Sequence, residues 1–190
     1  SEAENEGPQK GLYLGEGTRE PAKGIHHWVV LCFDLNTGEE LWRQTAHTGE
    51  PTIPRHPKST YASETPVTDG ERLYVLFGDV GLYAYDFDGI PLWSQPIEAK
   101  KTFFDYGAAA SPVVHDGMVI MVYDNQVQSY IAAYDGETGE QKWRTDREES
   151  STWATPFVWE NDVRPERVVN GRRRNNAYDL DGNERASFRR

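Results

Sequence analysis

The chain has 190 residues, 31 acidic and 20 basic, for a formal charge of −11. That balance excludes the clustered positive surface needed to grip nucleic acid. Seventeen Gly, 11 Pro and 23 aromatic residues describe a turn-dense chain with bulky rings, so the fold class expected is all-β.

Residues 1–24 open with the acidic, polar stretch Ser1 to Gln9 and are read as an irregular N-terminal segment carrying no signal peptide. From Ile25 a strand-and-turn rhythm begins, and the longest apolar runs, such as Trp28 to Cys32 and Met118 to Tyr123, are far too short to span a bilayer. Residues 25–44 read as part of one four-stranded unit and residues 62–95 as a complete one. The unit at 108–145 shows the punctuation best. Pro112, which cannot donate to a ladder, stands at a strand start ahead of Val113 and Val114. Asp116-Gly117 between two apolar runs is a tight hairpin signal. Met118 to Tyr123 forms the second strand, Tyr130 to Tyr134 the third, and a Gly139-closed turn leads into the fourth at Gln141 to Arg144. Residues 152–188 repeat the unit in degenerate form, because Arg172 to Asn176 occupies the place of an apolar strand.

Aligning the units exposes an internal repeat. Cys32-Phe33-Asp34, Gly38 and Trp42 match Ala84-Tyr85-Asp86, Gly89 and Trp93, then Ala133-Tyr134-Asp135, Gly139 and Trp143. The tryptophans are 51 and 50 residues apart, and the fourth copy runs from Ala177 through Asp179 and Gly182 to Ala186, without a tryptophan. A second phrase precedes three of the units at Thr65-Pro66, Ser111-Pro112 and Thr155-Pro156. The second strands, Leu73 to Phe77 and Met118 to Tyr123, are apolar at successive positions, so both of their faces need cover. Sheets stacked radially around an axis supply it, which predicts a β-propeller of four-stranded antiparallel blades. About 3.5 blades are present, too few to close a ring of the usual four to eight.

The phrase Ala-x-Asp-x-x-Thr-Gly-x-x-x-Trp resembles the tryptophan-docking motif of the pyrroloquinoline-quinone (PQQ)-like β-propeller repeat proteins. That superfamily includes quinoprotein alcohol dehydrogenases and the non-catalytic propeller of the bacterial outer-membrane barrel-assembly machinery. The resemblance implies that Trp42, Trp93 and Trp143 wedge between blades, that Gly38, Gly89 and Gly139 make turns, and that Asp34, Asp86 and Asp135 bond to the turn backbone. It also implies a periplasmic or secreted protein. The partners expected are the remaining blades of a longer chain or a second copy, with an envelope protein or a small ligand on the loops.

Sharper chemistry is weakly supported. The turns Asp86-x-Asp88-Gly89 and Asp179-x-Asp181-Gly182 alternate carboxylates, yet the positions where a calcium loop of the EF-hand type needs Gly and a bidentate acid hold Pro91 and Ile97, or Glu184 and Arg190. Asx-capped turns fit better. The five histidines are scattered, and Cys32, the single cysteine, stands in register with Ala84, Ala133 and Ala177 as a small packing residue. No phosphate-binding loop, dinucleotide fingerprint or nucleophile elbow occurs. Tyr61, Glu64, Phe104, Asp105, Tyr106 and Trp153 precede the Thr/Ser-Pro phrases, where entry loops would crowd one mouth of the channel and could form a recognition surface. The expectation is a non-catalytic scaffold without a cofactor. The alternative is a fragment of a PQQ-dependent dehydrogenase, in which PQQ would sit above a calcium ion; the single cysteine cannot supply the adjacent-cysteine disulfide of the alcohol-oxidising branch.

Overall fold

A computed structural model describes the backbone at residues 2–3 and the chain over residues 20–189. The architecture is all-β, and each unit folds as its own antiparallel sheet. Sheet 1 holds β1 (Glu2–Ala3), β2 (His26–Phe33) and β3 (Glu40–Gly49) in that order. Sheet 2 is β4 (Val67–Thr68), β5 (Leu73–Phe77), β6 (Gly81–Tyr85) and β7 (Pro91–Pro96). Sheet 3 is β8 (Val113–His115), β9 (Met118–Tyr123), β10 (Ser129–Asp135) and β11 (Gln141–Arg147). Sheet 4 is β12 (Phe157–Trp159), β13 (Glu166–Asn170), β14 (Arg174–Tyr178) and β15 (Glu184–Arg189). Within each four-stranded sheet, strands follow chain order, and β8 touches β4 of sheet 2 and β12 of sheet 4. This is a partial β-propeller.

Local chemistry accounts for the strand boundaries. Asp116 and Gly117 both take positive φ, 50° and 70°, as the mirror-image turn of a two-residue hairpin requires. Ile120 pairs with Ala133 in the same register that joins Tyr74 to Ala84 and Val168 to Ala177. The unbroken apolar run of β9 is explained by its two neighbours. Val119, Met121 and Tyr123 pack toward Tyr74, Leu76 and Leu82 of sheet 2, while Ile120 and Val122 pack toward Val169 and Tyr178 of sheet 4. On the other side of sheet 2, Val75, Phe77 and Tyr85 meet Trp28 and Val30 of sheet 1. Burying one such side chain contributes roughly 1.5–3 kcal/mol, so each sheet depends on the next for its core.

Two expectations need correction. Of the N-terminal segment, Glu2–Ala3 is a strand paired with His27 and His26; residues 4–19 of that segment lie outside the described residues. The fourth unit is a complete four-stranded sheet, because Asn176, Ala177 and Tyr178 supply the buried positions of β14 and the arginines fall at the turn and strand start. Cys32 keeps its register opposite Trp42, as Ala84 and Ala133 do opposite Trp93 and Trp143, but it is only half-buried near the end of β2. The outward faces of the two end sheets are apolar and exposed, with Leu31 and Phe33 on sheet 1 and Phe157, Trp159 and Phe188 on sheet 4.

Candidate functional site

Two constructions recur around the sheets, one at the outer turns and one at the entry loops. At the outer turns, Asp34 Oδ1 accepts from the amides of Asn36 and Thr37 at 2.9 and 2.8 Å. Asp86 Oδ1 accepts from Asp88 and Ile90, and Asp135 Oδ1 from Glu137 and Thr138. These bonds hold the Asp34 and Asp135 carboxyls below the usual range. Asp179 Oδ1 accepts from Asp181 and Asn183 in the same way, so the first carboxylate of each alternating pair is spent on backbone amides. The Asp86, Asp135 and Asp179 turns each face an indole from the preceding sheet. Trp42 Nε1 donates to Phe87 O at 2.9 Å, Trp93 Nε1 to Gly136 O at 2.9 Å and Trp143 Nε1 to Leu180 O at 2.8 Å. An indole removes about 150–250 Å² from water and leaves one donor to satisfy, which these carbonyls do.

At the entry loops, the Thr/Ser-Pro phrases are tied in series: Thr65 N donates to Ser111 Oγ at 2.8 Å and Ser111 N to Thr155 Oγ1 at 3.1 Å. The six residues expected at the mouth separate here into two groups. Tyr61 is buried, donating its hydroxyl to Ile53 O and accepting Trp28 Nε1 at its carbonyl, and it lines a cavity of about 270 Å³ between sheets 1 and 2. Glu64 is partly buried and accepts from Gly78 N at 2.9 Å and Ser63 N at 3.1 Å. Burial pushes its carboxyl up to about 7, and it pushes neighbouring Asp79, which accepts the Tyr123 hydroxyl at 3.0 Å, up to about 6. Both are occupied with the fold.

Three of the remaining four come together, and Asp105 does not line their cleft. Phe104, Tyr106 and Trp153 form a chain of rings with centroids 5.6 and 5.9 Å apart, around a cleft of about 580 Å³. Trp153 Nε1 donates to Gly107 O at 2.8 Å, and His56 packs edge-on against Tyr106 at 4.5 Å. Phe104 and Asp105 take φ values of 55° and 56° within a single 3₁₀ turn, Phe103–Asp105. Two successive non-Gly residues in the left-handed region cost about 1–3 kcal/mol each, and such strain clusters at functional sites. The turn is pinned by Phe103 N donating to Ser151 Oγ and Gly107 N to Thr102 Oγ1.

Sequence reasoning missed the supports of this cleft. Arg172 lies 4.6 Å over the Phe103 ring, and the loop bearing it is held by Glu149, whose carboxylate accepts the amides of Arg172, Arg173 and Arg174. Beneath, Asp124 and Arg147 form a buried pair at 2.8 Å, and Thr152, next to Trp153, donates to Asp124 at 2.7 Å. No short motif flags partners 20 residues or more apart in sequence.

These repeated sheets, turns and indole contacts have counterparts among known proteins. The family model described as outer membrane protein assembly factor BamB, a PQQ-type repeat family, matches residues 26–180. The chain belongs to this family. Among solved structures, the propeller superposes on BamB from Moraxella catarrhalis with a TM-score of 0.58 at 13% identity, covering 85% of this chain and 42% of that one. It superposes on a europium-containing methanol dehydrogenase with a TM-score of 0.60 at 13% identity, covering 87% and 39%. For a quinohemoprotein alcohol dehydrogenase from Comamonas testosteroni the TM-score is 0.55 at 19% identity, covering 85% and 32%. The chain thus spans less than half the length of these solved structures. No curated protein matches. Among the described residues, no helix is long and apolar enough to cross a membrane.

Proposed function

We propose that this propeller segment is a non-catalytic scaffold whose entry-loop cleft, built from Phe104, Tyr106 and Trp153, binds a protein or small ligand in the cell envelope, in the periplasm or beyond. The observation that carries this reading is the strained turn: Phe104 is held in a left-handed conformation and is 48% exposed, against Tyr106, whose ring meets Trp153, itself 38% exposed. Exposed aromatic rings on a rigid, pinned loop are the usual anchors of a binding surface. Membership in the BamB family supports placing that role in outer-membrane protein assembly.

The likeness to quinone-dependent dehydrogenases favours a second reading, a dehydrogenase fragment. The residues present fit it poorly. Among the described residues, no three His, Cys, Asp or Glu side chains converge as cation ligands, and the Asp86, Asp135 and Asp179 carboxylates already accept backbone amides.

The test is retention of envelope proteins and small molecules by the full-length parent, comparing the native sequence with Phe104→Ala and Trp153→Ala. Anchor residues of this kind are worth about 2 kcal/mol or more, so each variant is expected to lose at least tenfold in retention with its unfolding midpoint nearly unchanged. Undiminished retention by the double variant would sink the scaffold reading. Titration with PQQ and calcium, followed by the quinone spectrum and dye-linked alcohol oxidation, decides the second.

A further inference from the structure

The cavity between sheets 1 and 2 and the entry-loop cleft are lined by opposite charge. Among the described residues, Arg172 is the one charged group on the wall of the cleft, whereas Glu50, Asp79 and Glu98 line the cavity and no Lys or Arg does. The cavity wall also holds aromatic rings. Trp28 and Tyr61, both buried, lie with ring centroids 6.0 Å apart, and His47 stands edge-on to Trp28 at 5.2 Å. The polar atoms of the two buried rings are already used. Trp28 Nε1 donates to Tyr61 O at 3.0 Å, and the Tyr61 hydroxyl donates to Ile53 O at 2.9 Å and accepts Ala22 N at 3.1 Å. What these rings offer the cavity is π surface, and Val80 and Ile97 add aliphatic wall.

Rings with their donors spent, sharing a hollow with carboxylates, suit an ion that carries positive charge and few N–H groups. An aromatic face attracts such a cation within about 6 Å of the ring centroid, and more strongly where water is excluded. Tyr61 already does so elsewhere on its ring: the Arg55 guanidinium lies 5.3 Å from the centroid, and Arg55 does not line the cavity. Asp79 supplies the inner charge. Its Oδ1 accepts the Tyr123 hydroxyl at 3.0 Å, and burial pushes its carboxyl up to about 6, a desolvation cost that a cation beside it would offset. Glu50 and Glu98 are exposed, and Glu98 also holds Lys100 Nζ at 2.6 Å, so their share is smaller. A primary amine would bring three N–H donors to satisfy, and the ring faces, Val80 and Ile97 accept none of them. We infer that this cavity binds a small organic cation of the alkylated ammonium type, held against Trp28 and Tyr61 with Asp79 as its counter-charge. The site shares no lining residue with the cleft of Phe104, Tyr106 and Trp153, so either reading can fail alone.

The test compares choline with its uncharged isostere, in which carbon replaces the quaternary nitrogen, by calorimetry and by nuclear magnetic resonance. Choline is expected to bind at least tenfold more tightly than the isostere, the combined worth of a desolvated ring contact and one counter-charge. It should shift the Trp28 indole N–H resonance saturably, and its own methyl protons should move upfield, as protons above a ring face do. Trp28 is part of the core, so the variants are made at the carboxylates. Asp79→Asn, which keeps an acceptor for the Tyr123 hydroxyl, is expected to lose about tenfold for choline and nothing for the isostere. Glu50→Gln, at an exposed position, should lose no more than about fivefold. Equal affinity for the two ligands, undiminished choline binding by Asp79→Asn, or shifts confined to Trp153 and the cleft would each overturn the inference. So would absence of choline binding at millimolar concentration.

Discussion

Sheets 2 and 3 meet across aliphatic and tyrosine side chains, whereas sheets 3 and 4 meet around charge. In the first interface Tyr74, Leu76, Val119, Met121 and Tyr130 pack against one another without a buried ion pair, and its polar atoms are met by Tyr74 donating to Gly136 O and Tyr123 to Asp79. In the second, the apolar cluster shrinks to six residues, and Asp124, Arg147 and Arg167 are buried close by. Yet both interfaces carry the same Asx-capped turn and the same indole-to-carbonyl bond. The turn and indole therefore define how sheets stack, while the chemistry between them is free to vary.

The sharpest way to break the comparison is to cut the charged interface. Arg147 donates to both carboxylate oxygens of Asp124 and to the Tyr178 hydroxyl, all out of solvent. Removing one member of a buried pair leaves an uncompensated charge and costs about 3–5 kcal/mol. Asp124→Ala is expected to lower stability by that amount in chemical denaturation and to loosen Thr152 and the Trp153 cleft with it. A Trp93→Ala change cuts the apolar interface instead. Its indole is half-buried, so the loss should be roughly 2–4 kcal/mol, somewhat under that for a fully buried ring. If the shared turn geometry sets the stacking, Trp143→Ala will cost about the same despite the different core.

Much of this was legible because the repeat converts local signals into tertiary ones. Asp116-Gly117, Pro112 and the unbroken run Met118 to Tyr123 each name a turn, a strand start or a two-sided burial, and the fold obeys all three. The fourth sheet was harder to read, since Arg174 and Asn175 look unlike a strand until backbone pairing with β13 and β15 supplies what their side chains do not. The candidate mouth was half legible. Proximity to the Thr/Ser-Pro phrases located Phe104, Tyr106 and Trp153, but Tyr61 and Glu64 follow the same rule and are drawn inward by Trp28 and Gly78. Sequence position selects a loop; long-range hydrogen bonds decide which of its side chains face out.

Arg167 offers a smaller test with the opposite sign. It pairs with Tyr178 where Val119 pairs with Tyr134, it is wholly buried, and none of its three guanidinium nitrogens has a hydrogen-bond partner. Burial pushes it below its ordinary value against the pull of Asp116, Asp179 and Asp181. Replacing a buried, unsatisfied ion by an apolar residue of similar reach is often stabilising, so Arg167→Met is expected to raise stability by roughly 1 kcal/mol. A loss instead would mean that the three aspartates need the cation more than the interface needs the apolar surface.

The pH dependence of stability separates the buried carboxyls from the turn carboxylates. Glu64 titrates near 7 in the fold against an ordinary 4.5, and Asp79 near 6 against 3.8, because burial disfavours their charged forms. The native state therefore holds protons that the unfolded chain has released, and stability falls as pH rises between about 4.5 and 7. The turn carboxylates work in the opposite sense. Asp34, Asp135 and Asp179 are held below their ordinary values, so their contribution is present above about 3.8 and is lost as pH falls further. Stability should peak near pH 4–5 in denaturation curves collected across pH. Glu64→Gln, which keeps an acceptor for Gly78 N and removes the titration, should flatten the decline above pH 6 and leave the part below 6 that belongs to Asp79. A decline unchanged in that variant would move its origin away from the entry loops altogether.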